Sequence, residues 1–192
     1  MPKLQTIPES IRQIVTTLQQ AGFQSYLVGG CVRDLLLNFQ PKDWDITTDA
    51  KPEQIVAQFP KTFYENSFGT VTVHDPDQVD PTLKNVEITP FRLEAKYSDQ
   101  RHPDAVTFST KLEDDLARRD FTINALALDP VANKLVDLYD GQKDIANKTM
   151  RAVGQPNERF IEDPLRLLRA VRLATELGFA IEPQTEKAIQ ET

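Results

Sequence analysis

Hydrophobic and polar positions recur along this chain with two different periods, and each change of period marks an element. From Pro8 to Ala21 the apolar residues Ile11, Ile14, Val15 and Leu18 have the i, i+3, i+4, i+7 spacing of a helix with one face on a core. Gly22 follows where a helix-terminating glycine belongs, so this helix is expected to cover a sheet. Tyr26-Leu27-Val28 favours a strand that Gly29-Gly30 breaks, and glycines there let backbone N–H groups approach a ligand closely. Val32 to Leu37 has the composition of a short buried helix, and Pro41 ends the connection. Asp43-Trp44-Asp45-Ile46 then reads as a second strand. Alternation puts Trp44 and Ile46 toward the core and both aspartates on the other face. A helix is expected from Thr47 to Phe59, with Asp49 either its cap or a third carboxylate of the site.

Phe63-Tyr64, Phe68 to Val73 and Asn85 to Pro90 read as strands. In the last, Glu87 faces away from Val86 and Ile88, as a third carboxylate or a solvated one. Leu93 to Phe108 is polar and aperiodic, a length that in a compact domain marks a functional or disordered loop. Its Arg101 and His102 are positioned for phosphate or for solvent, and neither histidine of the chain has the company a zinc site needs. Leu126 to Leu138 predicts a hairpin around Asp129-Pro130, and Asp140-Gly141 interrupts the chain before a short helix. In the final helix Asp163 is the expected N-cap, Pro164 takes the first position and Gly178 closes it. Leu165, Leu168 and Val171 are expected to form its buried stripe, while Arg166, Arg169 and Arg172 recur every third residue.

Composition narrows the classes. A hydrophobic content of 40% over 192 residues supports one domain with a real core and a piece of another. The net charge of −7 excludes a broadly basic nucleic-acid surface, so any RNA contact is local or lies in chain not present here. The single Cys31 excludes an internal disulfide and fits a reducing compartment. No apolar run is long enough to span a membrane, and the first residues lack the apolar core of a signal peptide. A cytoplasmic protein is expected.

The chemistry concentrates in three places. Asp43 and Asp45, held side by side, repel unless a cation lies between them. Hard oxygen ligands suit magnesium, which also binds substrate phosphates, and the Gly29-Gly30 turn offers backbone N–H groups to a triphosphate. Arg118 and Arg119 can grip phosphate oxygens bidentately, Asp120 can accept from a hydroxyl, and Asn124 can fix a turn. Phe121 and Ile123 are expected in the core. Glu162, Asp163 and Arg166 open the final helix.

Gly29-Gly30-x-x-Arg33-Asp34 followed by Asp43-x-Asp45 resembles motif A of the class II tRNA nucleotidyltransferases, which include CCA-adding enzymes and bacterial poly(A) polymerases. Arg118-Arg119-Asp120-Phe121-Thr122-x-Asn124-Ala125 resembles the family's motif B, Glu162-Asp163-x-x-Arg166 its motif D, and Thr89-Pro90-Phe91-Arg92 the end of one of its strands. The resemblance implies an α/β (α+β) polymerase-beta-like nucleotidyltransferase head with a mixed, mainly antiparallel sheet flanked by helices, over residues 1–140. Residues 141–192 would begin a helical neck, joined to the head by a springy hinge, in a longer or split protein. It further implies magnesium on Asp43 and Asp45, with Glu87 as a candidate third ligand. Gly29, Gly30, Arg33, Arg118, Arg119, Asp120, Asn124, Glu162, Asp163, Arg166 and Arg169 would bind nucleotide, with ATP and CTP as substrates and the tRNA 3′ end as acceptor. In that family Asp and Arg of motif D meet the Watson–Crick edge of the incoming base. The 93–108 loop resembles the one that CC-adding relatives shorten, which favours CCA addition over A-only addition or poly(A) synthesis. Outside the family, a catalytically silent nucleotide-binding module and a glycosyltransferase using Asp43-x-Asp45 stand as alternatives, and the latter leaves motifs B and D without a role.

Overall fold

The computed structural model of the chain describes residues 7–65, 69–93 and 107–192. Phe68 and most of the 93–108 loop, including Arg101 and His102, lie outside the described residues.

Helix α1 (Glu9–Gln20) buries Ile11, Val15 and Leu18 completely, each worth roughly 1.5–3 kcal/mol by apolar burial. Gly22 ends it in the left-handed region at φ 91°. The chain enters β1 (Ser25–Val28), turns at Gly29 into α2 (Gly30–Leu36), and returns as β2 (Asp45–Thr48), antiparallel to β1. Helix α3 (Pro52–Val56) precedes β3 (Thr62–Glu65), β4 (Thr70–His74) and β5 (Asn85–Pro90). Helix α4 (Leu112–Ala117), the hairpin β6 (Leu126–Asp129) and β7 (Lys134–Asp137), and α5 (Gly141–Ala146) follow. The C-terminal part holds β8 (Thr149–Met150), α6 (Pro156–Glu162), α7 (Leu165–Leu177), β9 (Ala180–Ile181) and α8 (Pro183–Glu191).

Seven strands form one sheet in the order β3-β4-β5-β2-β1-β6-β7, and only the β2–β5 pair is parallel. The mixed, mainly antiparallel sheet expected from the sequence is therefore present. Side-chain alternation splits it into two faces. Leu27, Ile46, Val71, Val86 and Ile88 point into a core with Ile11, Val15, Leu18, Val32, Trp44 and Ile55. Val28 joins Phe91, Leu112, Leu116 and Ala127 in a smaller core. A third core brings Phe121 and Ile123 together with Met150, Phe160, Ala170, Leu173 and Phe179. Motif B is thus packed against residues on both sides of position 140.

Four expectations need correction. The second strand begins at Asp45, and Asp43 sits exposed on the bend before it, because Pro41 and Lys42 turn the chain there. Thr47 and Thr48 continue β2, so the next helix starts only at Pro52. Asp49 neither caps that helix nor faces the site: it accepts from the Gln24 backbone N–H at 2.8 Å and from the Gln24 side-chain amide at 3.2 Å. The stripe expected on α7 faces outward, with Leu165, Leu168 and Val171 exposed at 45%, 69% and 49%. The inward row is Arg166, Ala170, Leu173 and Ala174. A second row of apolar residues at helical spacing competed with it, and the inward row opens on an arginine that its neighbours neutralise.

Gly141 begins α5 tightly against the chain carrying motif B. A Cβ there would fall inside contact distance of the Thr122 carbonyl oxygen and 3.0 Å from Leu126 Cδ2. Gly141→Ala is therefore expected to cost about 1–3 kcal/mol by overpacking, seen as a thermal midpoint lowered by several degrees.

Candidate active site

The sheet face away from the α1–α3 layer is polar. The parallel register sets Asp45 beside Glu87, and Glu87 pairs in turn with Thr72 of β4. A second row runs from Thr47 to its neighbour Thr89, whose hydroxyl lies 3.2 Å from that of Thr70. Two rows of oxygen-bearing side chains thus cross three strands.

Asp45 is the pivot. Burial, and then the charges of Asp43 and Glu87, push its carboxyl up to about 6, against the opposing pull of Arg119. A half-buried carboxylate crowded by two others is short of positive charge, and Asp43 and Asp45 offer the hard oxygens that suit magnesium. Among the described residues no group of three or more His, Cys, Asp or Glu side chains converges as a complete metal cluster. Two carboxylates completed by substrate phosphates are, however, the usual way a protein holds magnesium, so the donor set fits that ion.

Two depressions meet at Asp45. One, of about 380 Å³, is lined by Thr70, Thr72, Glu87, Thr89 and the arginines Arg92, Arg118 and Arg119, among others. The other, of about 830 Å³, is lined by Gly30, Arg33, Asp43, Asn124 and Arg169 together with Phe39, Lys42 and neighbouring residues of α7. Asp45 is common to both.

The arginines are aimed by a residue that sequence reasoning missed. Asp115 on α4 is fully buried. Its Oδ1 accepts from Arg118 Nε and Nη2 at 2.9 and 2.6 Å, and its Oδ2 accepts from Arg119 Nη2 at 3.1 Å and the Thr47 hydroxyl at 3.2 Å. Burial raises its carboxyl, but the two guanidiniums outweigh that and hold it below the usual range. Arg119 Nε is buried with no hydrogen-bond partner among the described residues. Gly29 is required beside it: at φ 79° it occupies the left-handed region, and a Cβ would lie 2.9 Å from Arg119 Nη1.

A second network runs from α2 to α7. Arg33 donates to Asp34 Oδ1 at 2.9 and 2.7 Å and to Asn124 Oδ1 at 2.8 Å. The sequence led us to expect the Asn124 side chain to fix a turn through backbone bonds, and among the described residues it does not. Instead its amide donates to Asp120 Oδ1 at 3.2 Å, an oxygen that also accepts from the Phe121 N–H. Asp120 Oδ2 accepts twice from Arg169, at 2.8 and 2.7 Å.

Glu162, Asp163 and Arg166 are not among the residues lining either depression. Arg166 is nearly buried, donating to Glu162 at 3.0 Å, with Asp163 at 3.9 Å. The Asp163 carboxylate accepts from the Leu165 N–H at 3.0 Å, the capping role expected of it. Arg172 stays exposed beside Glu176, as expected of a solvated position. Asp115 and the threonine rows were missed for different reasons. The alternating polar positions of β4 and β5 were visible, but no local pattern in Leu112 to Arg119 marks one of three acids for burial.

This sheet, with its glycine turn and carboxylates at the strand edge, defines a nucleotidyltransferase-type head. The chain belongs to the poly A polymerase head domain family, whose model matches residues 25–151. It is 47% identical over 193 residues to a CCA-adding enzyme of Enterococcus faecalis, covering 98% of this chain and 46% of that protein. Among solved structures it resembles the Bacillus stearothermophilus CCA-adding enzyme in complex with CTP, with a TM-score of 0.82 and 40% identity over 95% of this chain and 43% of that one. It also resembles a Thermotoga maritima CCA-adding enzyme complexed with tRNA, at a TM-score of 0.74 and 26% identity over 94% of this chain and 40% of that one. The chain thus spans less than half the length of these proteins. Among the described residues no helix is long and apolar enough to cross a membrane.

Because folding raises the Asp45 carboxyl, the folded protein holds that proton more tightly than the unfolded chain. Stability from this group is present below about pH 4 and is lost as pH rises through about 6. In chelator at pH 8, Asp45→Asn is therefore expected to raise stability by roughly 1–2 kcal/mol, with the gain vanishing near pH 4. Denaturant titrations at the two pH values check this, and a destabilised variant at pH 8 would refute the charge crowding.

Proposed function

We propose that this chain is the catalytic part of a template-independent RNA nucleotidyltransferase. It adds CMP and AMP from CTP and ATP to the 3′ end of tRNA, completing CCA, in the presence of magnesium. The observation that carries the reading is the charge-starved Asp45 beside Asp43, set between two depressions rich in phosphate-binding groups. Relatives named as CCA-adding enzymes, solved with CTP and with tRNA, support it.

Residues 1–140 act as the head and 141–192 as the start of a base-reading neck. Asp43 and Asp45 would hold magnesium, which when bound activates the hydroxyl and neutralises the triphosphate. The Gly29-Gly30 turn and Arg33 position phosphates, and Arg33 arrives already fixed by Asp34 and Asn124. Arg118 and Arg119, held by Asp115, stabilise the negative charge that develops on the transferring phosphoryl group. Asp120 faces the ribose, with Asn124 and Arg169 keeping it in place. Asp163 and Arg166 read the base, with Glu162 orienting Arg166. Asp and Arg together match C or A and leave buried groups unpaired against G or U. In the reaction the RNA 3′ oxygen bonds to the α-phosphorus and the bond to the β-phosphate oxygen breaks. Pyrophosphate leaves with that electron pair, and the hydroxyl proton passes to solvent. The buried, unpaired Cys31 fits a reducing cytoplasm as the place of action.

Asp43→Ala is expected to abolish nucleotide incorporation into a tRNA lacking its CCA while leaving the thermal midpoint intact. Retained magnesium-dependent turnover would refute the assignment. Calorimetric titration with the four ribonucleoside triphosphates is expected to show binding of ATP and CTP only. In Arg166→Ala that preference should be lost, and unchanged selectivity would remove Arg166 from base recognition.

A further inference from the structure

Among the described residues, Arg33, Lys42, Arg169 and Arg172 are the cations that line the larger depression. Three of them are already engaged. Arg33 spends Nε, Nη1 and Nη2 on Asp34 and Asn124, and Arg169 spends Nε and Nη2 on Asp120. Arg172 faces Glu176 at 3.9 Å. Lys42 has no hydrogen bond or ion pair among the described residues, although Asp34, Asp43, Asp45 and Glu176 line the same depression. Its place is nevertheless set by the backbone. Pro41 and Trp44 are buried on either side, so the bend between them holds Lys42 and Asp43 outward together. An exposed ammonium with no structural task is thus carried by the same bend as an acid proposed to hold magnesium.

The proposed reaction calls for a cation of this kind. When the bond from the α-phosphorus to the bridging oxygen breaks, its electron pair stays with the β-phosphate. Negative charge therefore rises on the leaving group. Arg118 and Arg119 border the smaller depression and are given to the transferring phosphoryl group. Gly30 and Arg33, given to the other phosphates, border the larger, so the departing pyrophosphate belongs there. A guanidinium tied to protein acceptors stays where those acceptors hold it. A lysine is a compact charge with three donors on a flexible four-carbon stem, and it can follow a group that moves away. No proton changes hands in this step: the ammonium keeps its own, and pyrophosphate leaves with the electron pair.

We propose that Lys42 is the leaving-group cation of this site. It holds the β- and γ-phosphates of the bound nucleotide and accompanies pyrophosphate as it departs. The inference rests on the reading of the chain as a nucleotidyltransferase and adds to it a residue that this reading leaves without a task. A phosphodiester of the RNA would suit the same ammonium, and the test separates these two sources.

Lys42→Gln removes the charge, and Lys42→Arg keeps it. Both positions are exposed and unpartnered, so neither variant is expected to move the thermal midpoint. The parent and both variants are titrated in magnesium with CTP, CMP and inorganic pyrophosphate by calorimetry, and with a fluorescent single-stranded RNA by anisotropy. Lys42→Gln is expected to weaken CTP and pyrophosphate about tenfold, the worth of one charge-assisted contact, and to leave CMP within about twofold. Lys42→Arg is expected to recover most of the pyrophosphate affinity. Unchanged CTP and pyrophosphate in Lys42→Gln with weakened RNA would give the lysine to the RNA backbone and overturn the proposal. An equal loss of CTP and CMP would overturn it too, since a contact to the leaving phosphates cannot touch CMP. So would unchanged affinity for all four ligands, or no pyrophosphate binding by the parent. The Asp43→Ala turnover assay tests the enzymatic reading independently, so the role of Lys42 can fail while that reading stands.

Discussion

The active-site face depends on one buried charge. Asp115 has no exposure, and a lone carboxylate so placed is unstable unless positive charge is brought to it. Arg118 and Arg119 bring that charge, and in doing so each is tied at one edge of its guanidinium while the rest projects over the sheet. The Thr47 hydroxyl fills the remaining position and locks α4 to β2, the strand that carries Asp45. Arg119 then lies against the β1–α2 turn, where the positive φ of 79° at position 29 favours glycine. The same turn delivers Arg33 to Asn124. Removing one partner of such a buried arrangement leaves the others uncompensated, which is far costlier than losing a surface pair.

Charge placement reconciles an acidic chain with the polyanionic ligands proposed for it. The net charge is −7, yet Arg33, Arg92, Arg118, Arg119 and Arg169 all border the two depressions around Asp45. Concave, partly desolvated clefts focus the field of the charges that line them. The protein can therefore repel polyanions over most of its surface and attract them at one place.

Much of this was legible where the period of the sequence coincides with burial. Ile11, Val15 and Leu18 predicted the face of α1, and Val86 and Ile88 fixed which side of β5 Glu87 occupies. The glycine turn, the paired acids and the adjacent arginines gather around the two depressions because their chemistry is local, whereas Glu162, Asp163 and Arg166 line neither. Asp115 was not legible, because it sits among Glu113 and Asp114 in what reads as a wet helical face. Its burial is compensated by Arg118 and Arg119 and completed by a hydroxyl on a strand 68 residues earlier. The orientation of α7 failed for a related reason. Leu165, Leu168 and Val171 make a plausible stripe by themselves, and partners such as Glu162, Asp163 and the Arg159 carbonyl beside Arg166 make the alternative row burial-competent. Asp43 was displaced from the strand by the turn at Pro41 and Lys42, whose geometry no alternation reports.

The Asp120 carboxylate has a kinetic consequence. Both of its oxygens are already doubly occupied, one by the Phe121 N–H and the Asn124 amide, the other by two donors of Arg169. A carboxylate has about four acceptor sites, so an incoming hydroxyl must take the place of a donor rather than fill a vacancy. The one that can yield most easily is Arg169, whose side chain is about half exposed. In the role proposed for Asp120, recognition would be an exchange reaction, in which each arriving ligand frees the cation on α7 and each departing ligand is replaced by it. The bond strength gained by the ligand is reduced by the bond it displaces, which favours rapid turnover of occupants over tight retention of any one.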